Sequence, residues 1–315
     1  MLILLIITLT NNMFIITYRK IFYALSGILL ATSLAFLISF GLRFGIEFTG
    51  GSILELDYAG GRPEKALLDE KLANTDLGAY VLRQTNESGY ILETKILENA
   101  TKDQIVKDLT LDAANPPSVV RFNTIGPTLG DELRSKSLVS VIVVILATIL
   151  FLAYAFRNVA YPVTSWMYGL TAIVSMIHDV LLTLGVFSFL GWKYGVEVDT
   201  LFITALLVTL GYSINDSIVV LDRVRENIQN KSDEVRRKTF IQIVGKSLME
   251  TFSRSLNTSL TVIFALVALL LVGGASTYYF SLALMVGVVS GTYSSLFIAA
   301  PLLVSYFLYT EKKRK

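Results

Sequence analysis

Six apolar runs punctuate the chain, at about 21–42, 138–156, 161–190, 198–221, 255–274 and 278–309. An α-helix needs roughly 20 residues to cross about 30 Å of hydrocarbon, so these runs predict six transmembrane helices. Pro301, inside the last run, is expected to bend that helix or to mark where it can tilt. Between the first two runs the pattern turns polar, with alternating apolar positions. ILELDY (53–58), YVLRQT (80–85), YILETKIL (90–97) and SVVRFNTI (118–125) predict strands, the middle two joined across NESG. PEKALLDEKLAN (63–74) and TKDQIVKDLTLDA (101–113) predict helices, opened by Pro63 and capped by Thr101.

The order β-α-β-β-α-β is the ferredoxin-like pattern. The expected fold is therefore an α-helical polytopic membrane protein of six spans, with one exterior α+β domain over 43–137 between the first two. That domain has no histidine, cysteine or nucleophile–base pair, which favours a binding or docking module over a catalytic one.

Composition agrees with a membrane protein. Hydrophobic residues make up 53%, mean hydropathy is +0.61, and 17% are charged against about 25% in soluble domains. There is no cysteine, hence no disulfide or thiol nucleophile, and the one histidine excludes a multi-histidine metal centre. No metal or cofactor is expected. GKS at 245–247 lacks the upstream glycine of a phosphate-binding loop.

Basic residues crowd one side of the spans. Arg19 and Lys20 precede the first; Arg157 separates the second and third. Arg223, Arg225, Lys231, Arg236, Arg237, Lys238 and Lys246 lie between the fourth and fifth, and Lys312, Lys313, Arg314 and Lys315 form the tail. The opposite short loops, 191–197 and 274–277, carry only Lys193. The positive-inside bias predicts both termini cytoplasmic, in a multi-pass protein of the bacterial cytoplasmic membrane. The segment 222–254 reads as a cytoplasmic basic loop resting on membrane lipid, not as a nucleic-acid site. Segments 1–20 and 310–315 are its cytoplasmic N-terminal segment and tail. Residues 1–17 are apolar but too short to span, and they lack a basic n-region and a cleavage-site pattern. No cleaved signal peptide is expected there, and Met13 is an alternative start.

Asp216 sits within the fourth run, where a carboxylate costs a few kcal/mol unless it has a partner or a polar path. Thr209, Tyr212, Ser213 and Asp216 fall at helical spacing on one face, and Arg254, Asn257, Thr258 and Thr261 repeat that spacing in the fifth span. The two stripes suggest an Asp216–Arg254 ion pair that protonation would release. In the third span Ser175, His178 and Asp179 share a face. For His178 an interhelical hydrogen-bond role stands beside a relay role, and for Asp179 a structural role stands beside a transport role. The candidate proton pathway is Asp216 and Arg254, extended by Asp179, His178, Tyr212, Asn215, Asn257 and Thr258. Glu47, Gly50 and Gly51 form a candidate elbow between the first span and the first strand. Asp222 and Arg223 are expected to form interfacial or local ion pairs.

FGIEFTGGS (44–52), GYSINDSIVVLDRVREN (211–227) and SRSLNTSLTVIFALVALLLVGG (253–274) resemble the hallmark segments of the SecD/SecF family of bacterial protein-export membrane proteins, on its SecF side. The similarity runs from about Tyr18 to the last span. It implies the RND superfamily, with six spans forming half of a twelve-span unit completed by SecD. It also implies association with the SecYEG channel, often with YidC, around a translocating preprotein. In that family the aspartate of the IND segment and the arginine opening the fifth span are proton-pathway residues; here they are Asp216 and Arg254. The family usually has Asp where this chain has Glu47, which leaves the geometric role of that carboxylate open.

The expected function is an accessory subunit of the Sec translocase that works with SecD on the proton motive force, with no covalent chemistry and hence no enzyme activity. An RND-type small-molecule exporter component and a non-transporting scaffold are the alternatives.

Overall fold

The computed structural model describes residues 13–75, 77–85, 88–112, 116–157, 161–229 and 231–314, the side chains of 275 and 276 excepted. In chain order the elements are α1 (Phe14–Thr17), α2 (Arg19–Phe40), α3 (Ile46–Thr49), β1 (Gly51–Asp57), α4 (Lys65–Ala73), β2 (Tyr80–Thr85), β3 (Gly89–Thr94), α5 (Asn99–Asp108), β4 (Ser118–Ile125), α6 (Pro127–Ala155), α7 (Ser165–Tyr194), α8 (Thr200–Gln229), α9 (Asp233–Val272), α10 (Ala275–Ser294), a π-turn (Ser295–Ala299) and α11 (Ala300–Arg314). They fall into two bodies. One comprises residues 44–140 with 197–200; the other comprises the rest.

The smaller body holds the small α+β domain that follows the first apolar helix. Its sheet is antiparallel throughout, in the order β2-β3-β1-β4, which is the ferredoxin-like arrangement expected from the element order. Leu54, Leu56 and Leu92 of the central strands bury against Leu68 and Leu72 of α4 and Ile105 of α5. Tyr58 is buried with them and donates to the Leu109 carbonyl at 3.3 Å; burial pushes its hydroxyl up to about 12, so it stays a donor at neutral pH. Two start signals are corrected. Glu64 occupies the N-cap of α4, so Pro63 precedes the helix, and Glu98 occupies that of α5, which places Thr101 inside it. Of the NESG turn, Asn86 and Glu87 lie outside the described residues. Leu92 is fully buried, so Leu92→Ala should cost about 2–5 kcal/mol. Proteolysis of the domain in the full chain should accelerate at least ~10-fold, by the same free energy.

Among the described residues six helices are long and apolar enough to cross a membrane: α2, α6, α7, α8, α9 and the α10–π–α11 continuum. α7 is the hub, with α2 and α10 lying along it. A Cβ built on Gly185 would stand 2.3 Å from Ser33 Cβ, so the small residue sets the α2–α7 approach. Ile15 and Ile16 of α1 join the core formed by residues such as Phe240, Val244, Leu303 and Phe307. Residues 1–12, including the alternative-start question, lie outside the described residues.

Two sequence expectations change here. The segment 222–254 is not an extended loop: α8 continues to Gln229 and α9 begins at Asp233. Its charges are used locally. Arg223 pairs with Glu226 and Glu250 at 2.6 Å each, Arg225 with Asp222 at 2.8 Å, and Arg237 with Glu311 at 2.6 Å. Exposed pairs of this kind contribute about 0–1 kcal/mol apiece, so they order the helix ends more than they stabilise the fold. The Pro301 irregularity appears as the π-turn. A proline ring clashes with the carbonyl four residues earlier, and that carbonyl belongs to Phe297, the centre of Ser295–Ala299.

Candidate functional site

The polar centre of the helical body lies where α7, α8 and the α10–π junction meet. Asp179 on α7 is fully buried. Its Oδ2 accepts from Ser213 Oγ of α8 at 2.5 Å and from Ser294 Oγ, the last residue of α10, at 2.7 Å. Its Oδ1 lies 2.9 Å from His178 Nδ1. Asp216, three residues beyond Ser213 on α8 and 7% exposed, accepts from Ser295 Oγ at 2.5 Å. Consecutive serines on one strand of backbone thus hold the two acids, and the π-turn starts at the second of them. Each serine also has a carbonyl of its own helix within reach: Gly291 O at 3.2 Å from Ser294 Oγ and Thr292 O at 3.1 Å from Ser295 Oγ.

Glycines bring the helices together. A Cβ on Gly287 would sit 2.1 Å from Thr209 Oγ1, and one on Gly291 would touch Ser213 and come within 3.6 Å of Asp179 Oδ2. No larger residue at 287 allows α10 this close to α8 without displacement. Around the acids, His178 Nε2 and the hydroxyls of Ser175, Thr209 and Ser217 are buried with no hydrogen-bond partner among the described residues. His178 stacks on Tyr293, whose hydroxyl donates to the Phe22 carbonyl at 2.9 Å and ties this site to α2.

The expected Asp216–Arg254 ion pair does not form. Arg254 is exposed on α9, as are Asn257, Thr258 and Thr261, and its guanidinium has no carboxylate partner among the described residues. The face of α9 that turns inward is the adjacent one, Thr251, Ser255 and Ser259. Tyr212 donates to Ser259 Oγ at 3.0 Å, and Thr292 Oγ1 lies 2.5 Å from the same atom, forming a second polar layer. A one-residue offset turns a helix by about 100°, which is enough to carry one stripe outward and its neighbour in. Asn215 is exposed, about 100° around α8 from Asp216.

At the elbow, Gly50 has φ 74° and Gly51 φ 137°, and a Cβ on Gly51 would stand 2.6 Å from the Thr94 carbonyl oxygen. Only glycine fits that combination. Glu47 in α3 accepts from both the backbone N–H and the hydroxyl of Thr200, at 2.8 and 2.5 Å. Sequence reasoning missed Ser294, Ser295 and Ser259. Ser294 and Ser295 stand in GTYSS and Ser259 in LNTSL, but serines are common in membrane helices and gave no reason to single these out.

A six-span helical membrane protein with buried acids at a helix junction, and a ferredoxin-like domain between its first two spans, belongs to the class of transporter-like subunits. The comparisons are more specific. The family described as "Protein export membrane protein SecD/SecF, C-terminal" matches residues 105–308, and the SecD/SecF GG motif matches residues 35–61. The protein translocase subunit SecF of Thermobaculum terrenum is 38% identical over 305 residues, 93% of each chain. That of Haemophilus influenzae is 34% identical over 286 residues, 89% of this chain and 82% of the other. The crystal structure of SecDF from Thermus thermophilus, described as a translocon-associated membrane protein, superposes with a TM-score of 0.78 at 28% identity. The match covers 92% of this chain and 38% of the SecDF chain. This chain is a member of the SecD/SecF family.

Proposed function

We propose that the chain is an accessory subunit of the Sec protein translocase that acts with SecD, on the proton motive force, to promote preprotein export across the cytoplasmic membrane. One observation carries the proton part. Two carboxylates lie buried among apolar helices, held by hydroxyls and one histidine, with no lysine or arginine paired to either among the described residues. A carboxyl group within a spanning helix needs a partner or a polar path, and such groups mark the proton routes of membrane transporters.

The serines supply the switch. Facing an ionised Asp216, Ser295 donates to the carboxylate. When Asp216 is protonated it can donate instead, and Ser295 can turn its hydrogen to the Thr292 carbonyl. Ser294 has the same choice between Asp179 and Gly291. Both reversals act on the backbone at a π-turn, where helical bonding is already irregular. About 2.3 kcal/mol per charge per 100 mV, and about 1.4 kcal/mol per pH unit, suffice to bias a two-state element of this kind. The buried hydroxyls of Ser175, Thr209 and Ser217 extend the polar track along α7 and α8.

SecD fits the outward stripe Arg254, Asn257, Thr258 and Thr261, whose donors need a protein partner rather than lipid tails. SecYEG, YidC and the preprotein are further partners in this reading, with both termini cytoplasmic. Arg254 then serves the pathway from the partner contact.

The test uses inverted membrane vesicles holding the assembled complex. Export should be faster with a proton gradient than with an uncoupler, and vesicles lacking this chain should lose that difference. The same gradient dependence in both would remove the reading.

A further inference from the structure

We propose that Glu47 is a latch through which the helix bearing Asp216 moves the exterior domain, an inference that rests on the proton-driven function proposed above. Residues 197–200 join α7 to α8, yet they group with the exterior domain rather than with the helices they connect. Several contacts hold them there. Glu47 accepts both donors of Thr200, the first residue of α8. Gly45 N–H donates to the Val198 carbonyl at 3.0 Å, and Phe44 bridges Val198 in parallel. Glu197 pairs with Arg83 of β2 at 2.9 Å, and Arg83 also binds Glu93 of β3. Glu197 Oε2 would lie 3.3 Å from a Cβ on Gly45, so a glycine there leaves room for the carboxylate.

From Thr200 the helix runs unbroken to Gln229. Asp216 lies sixteen residues along it, about 24 Å at 1.5 Å per residue. A helix neither shortens nor stretches at low cost, so a shift or rotation at the acid arrives at its first turn. That turn exposes backbone N–H groups with no partner inside the helix, and a carboxylate there matches both the free donors and the positive end of the helix dipole. Glu47 stands on α3, directly before the Gly50–Gly51 elbow that opens β1, the central strand of the exterior sheet. Among the contacts of 197–200, Glu47 is the one that joins the first residue of α8 to the segment leading into the central strand. The sequence left the role of Glu47 open, and the geometry assigns it as a positioning residue for coupling.

The chain has no native cysteine, so a Thr101→Cys/Lys193→Cys pair can be spin-labelled in the full complex in vesicles, both sites being exposed. Two quantities are read when a proton gradient is imposed: the infrared carboxyl band that Asp216→Asn removes, and the distance between the labels. In the otherwise native complex both should change. In Glu47→Ala the band change should persist, the distance change should vanish, and gradient-driven export should fall at least fivefold. Glu47→Gln keeps an acceptor for Thr200 and should retain most of the distance change. A full distance change in Glu47→Ala overturns the latch and leaves the proton reading standing. If Glu47→Ala does not assemble, Thr200→Val decides. It removes the hydroxyl donor at constant shape and should reduce the distance change, and an undiminished change there overturns the latch. Absence of any band change in the native complex overturns both proposals together.

Discussion

Asp216→Asn is expected to abolish the gradient-dependent part of preprotein export while the complex still assembles. The amide has the volume of the carboxylic acid, and its oxygen can accept the Ser295 hydrogen bond that Asp216 accepts at 2.5 Å. The structural cost should therefore stay near the ~0.6 kcal/mol average for interhelical hydrogen bonds in membranes. What disappears is the ability to gain and lose a proton. Export should fall to the level seen with an uncoupler and stop responding to the gradient. Ser295→Ala makes the complementary test. It leaves the acid but removes its donor, so the dependence on the gradient should weaken rather than vanish. Both variants are checked by export rates in vesicles with and without a gradient, at equal amounts of assembled complex. Undiminished gradient dependence in Asp216→Asn would exclude this acid from the coupling step.

Gly287→Ala and Gly211→Ala should have opposite signs, although both add one methyl to a membrane helix. At Gly287 the new carbon would meet Thr209 at 2.1 Å from Oγ1, 2.4 Å from Cγ2 and 2.8 Å from Cβ. Threonine is β-branched and stiff at χ1, so it cannot swing clear. Overpacking of this kind costs about 1–3 kcal/mol, and here α10 must shift away from α8 to relieve it. That shift also reaches Ser294 and Ser295, two turns further along, and should weaken their hold on both acids. At Gly211 nothing lies within 4 Å of the added carbon. Alanine there should be neutral or stabilise the helix by about 0.5–1 kcal/mol. Thermal unfolding in detergent should show a lowered midpoint for Gly287→Ala and an unchanged or raised one for Gly211→Ala. Equal shifts would mean that close approach at 287 does not govern the packing.

The features legible from sequence are those with a local cause. Hydrophobic runs mark the spans because hydrocarbon demands continuous apolar length, and β4 matches its expected limits, 118–125, because Pro117 precedes it and Gly126-Pro127 follows it. Asp216 stood out because an acid in such a run needs a reason. The orientation of the α9 stripes was not legible. Arg254, Asn257 and Thr258 form as regular a polar face as Thr251, Ser255 and Ser259, and periodicity gives a face without saying where it points. The serine pair was illegible for a related reason. Its importance comes from Pro301 disturbing the helix one turn earlier and from glycines that admit α8, both of which are properties of packing. The role proposed for Glu47 depends on Thr200, 153 residues away in sequence, so no local pattern encodes it.

The outward-facing Arg254 has a consequence for biosynthesis. A copy of the chain inserted alone would hold a guanidinium, an amide and two hydroxyls against acyl chains, and the bilayer would have to thin or admit water beside α9 to solvate them. Such a copy is marked as an orphan by its own surface. On the proposed docking of SecD over this stripe, the partner's arrival would relieve the bilayer of that distortion.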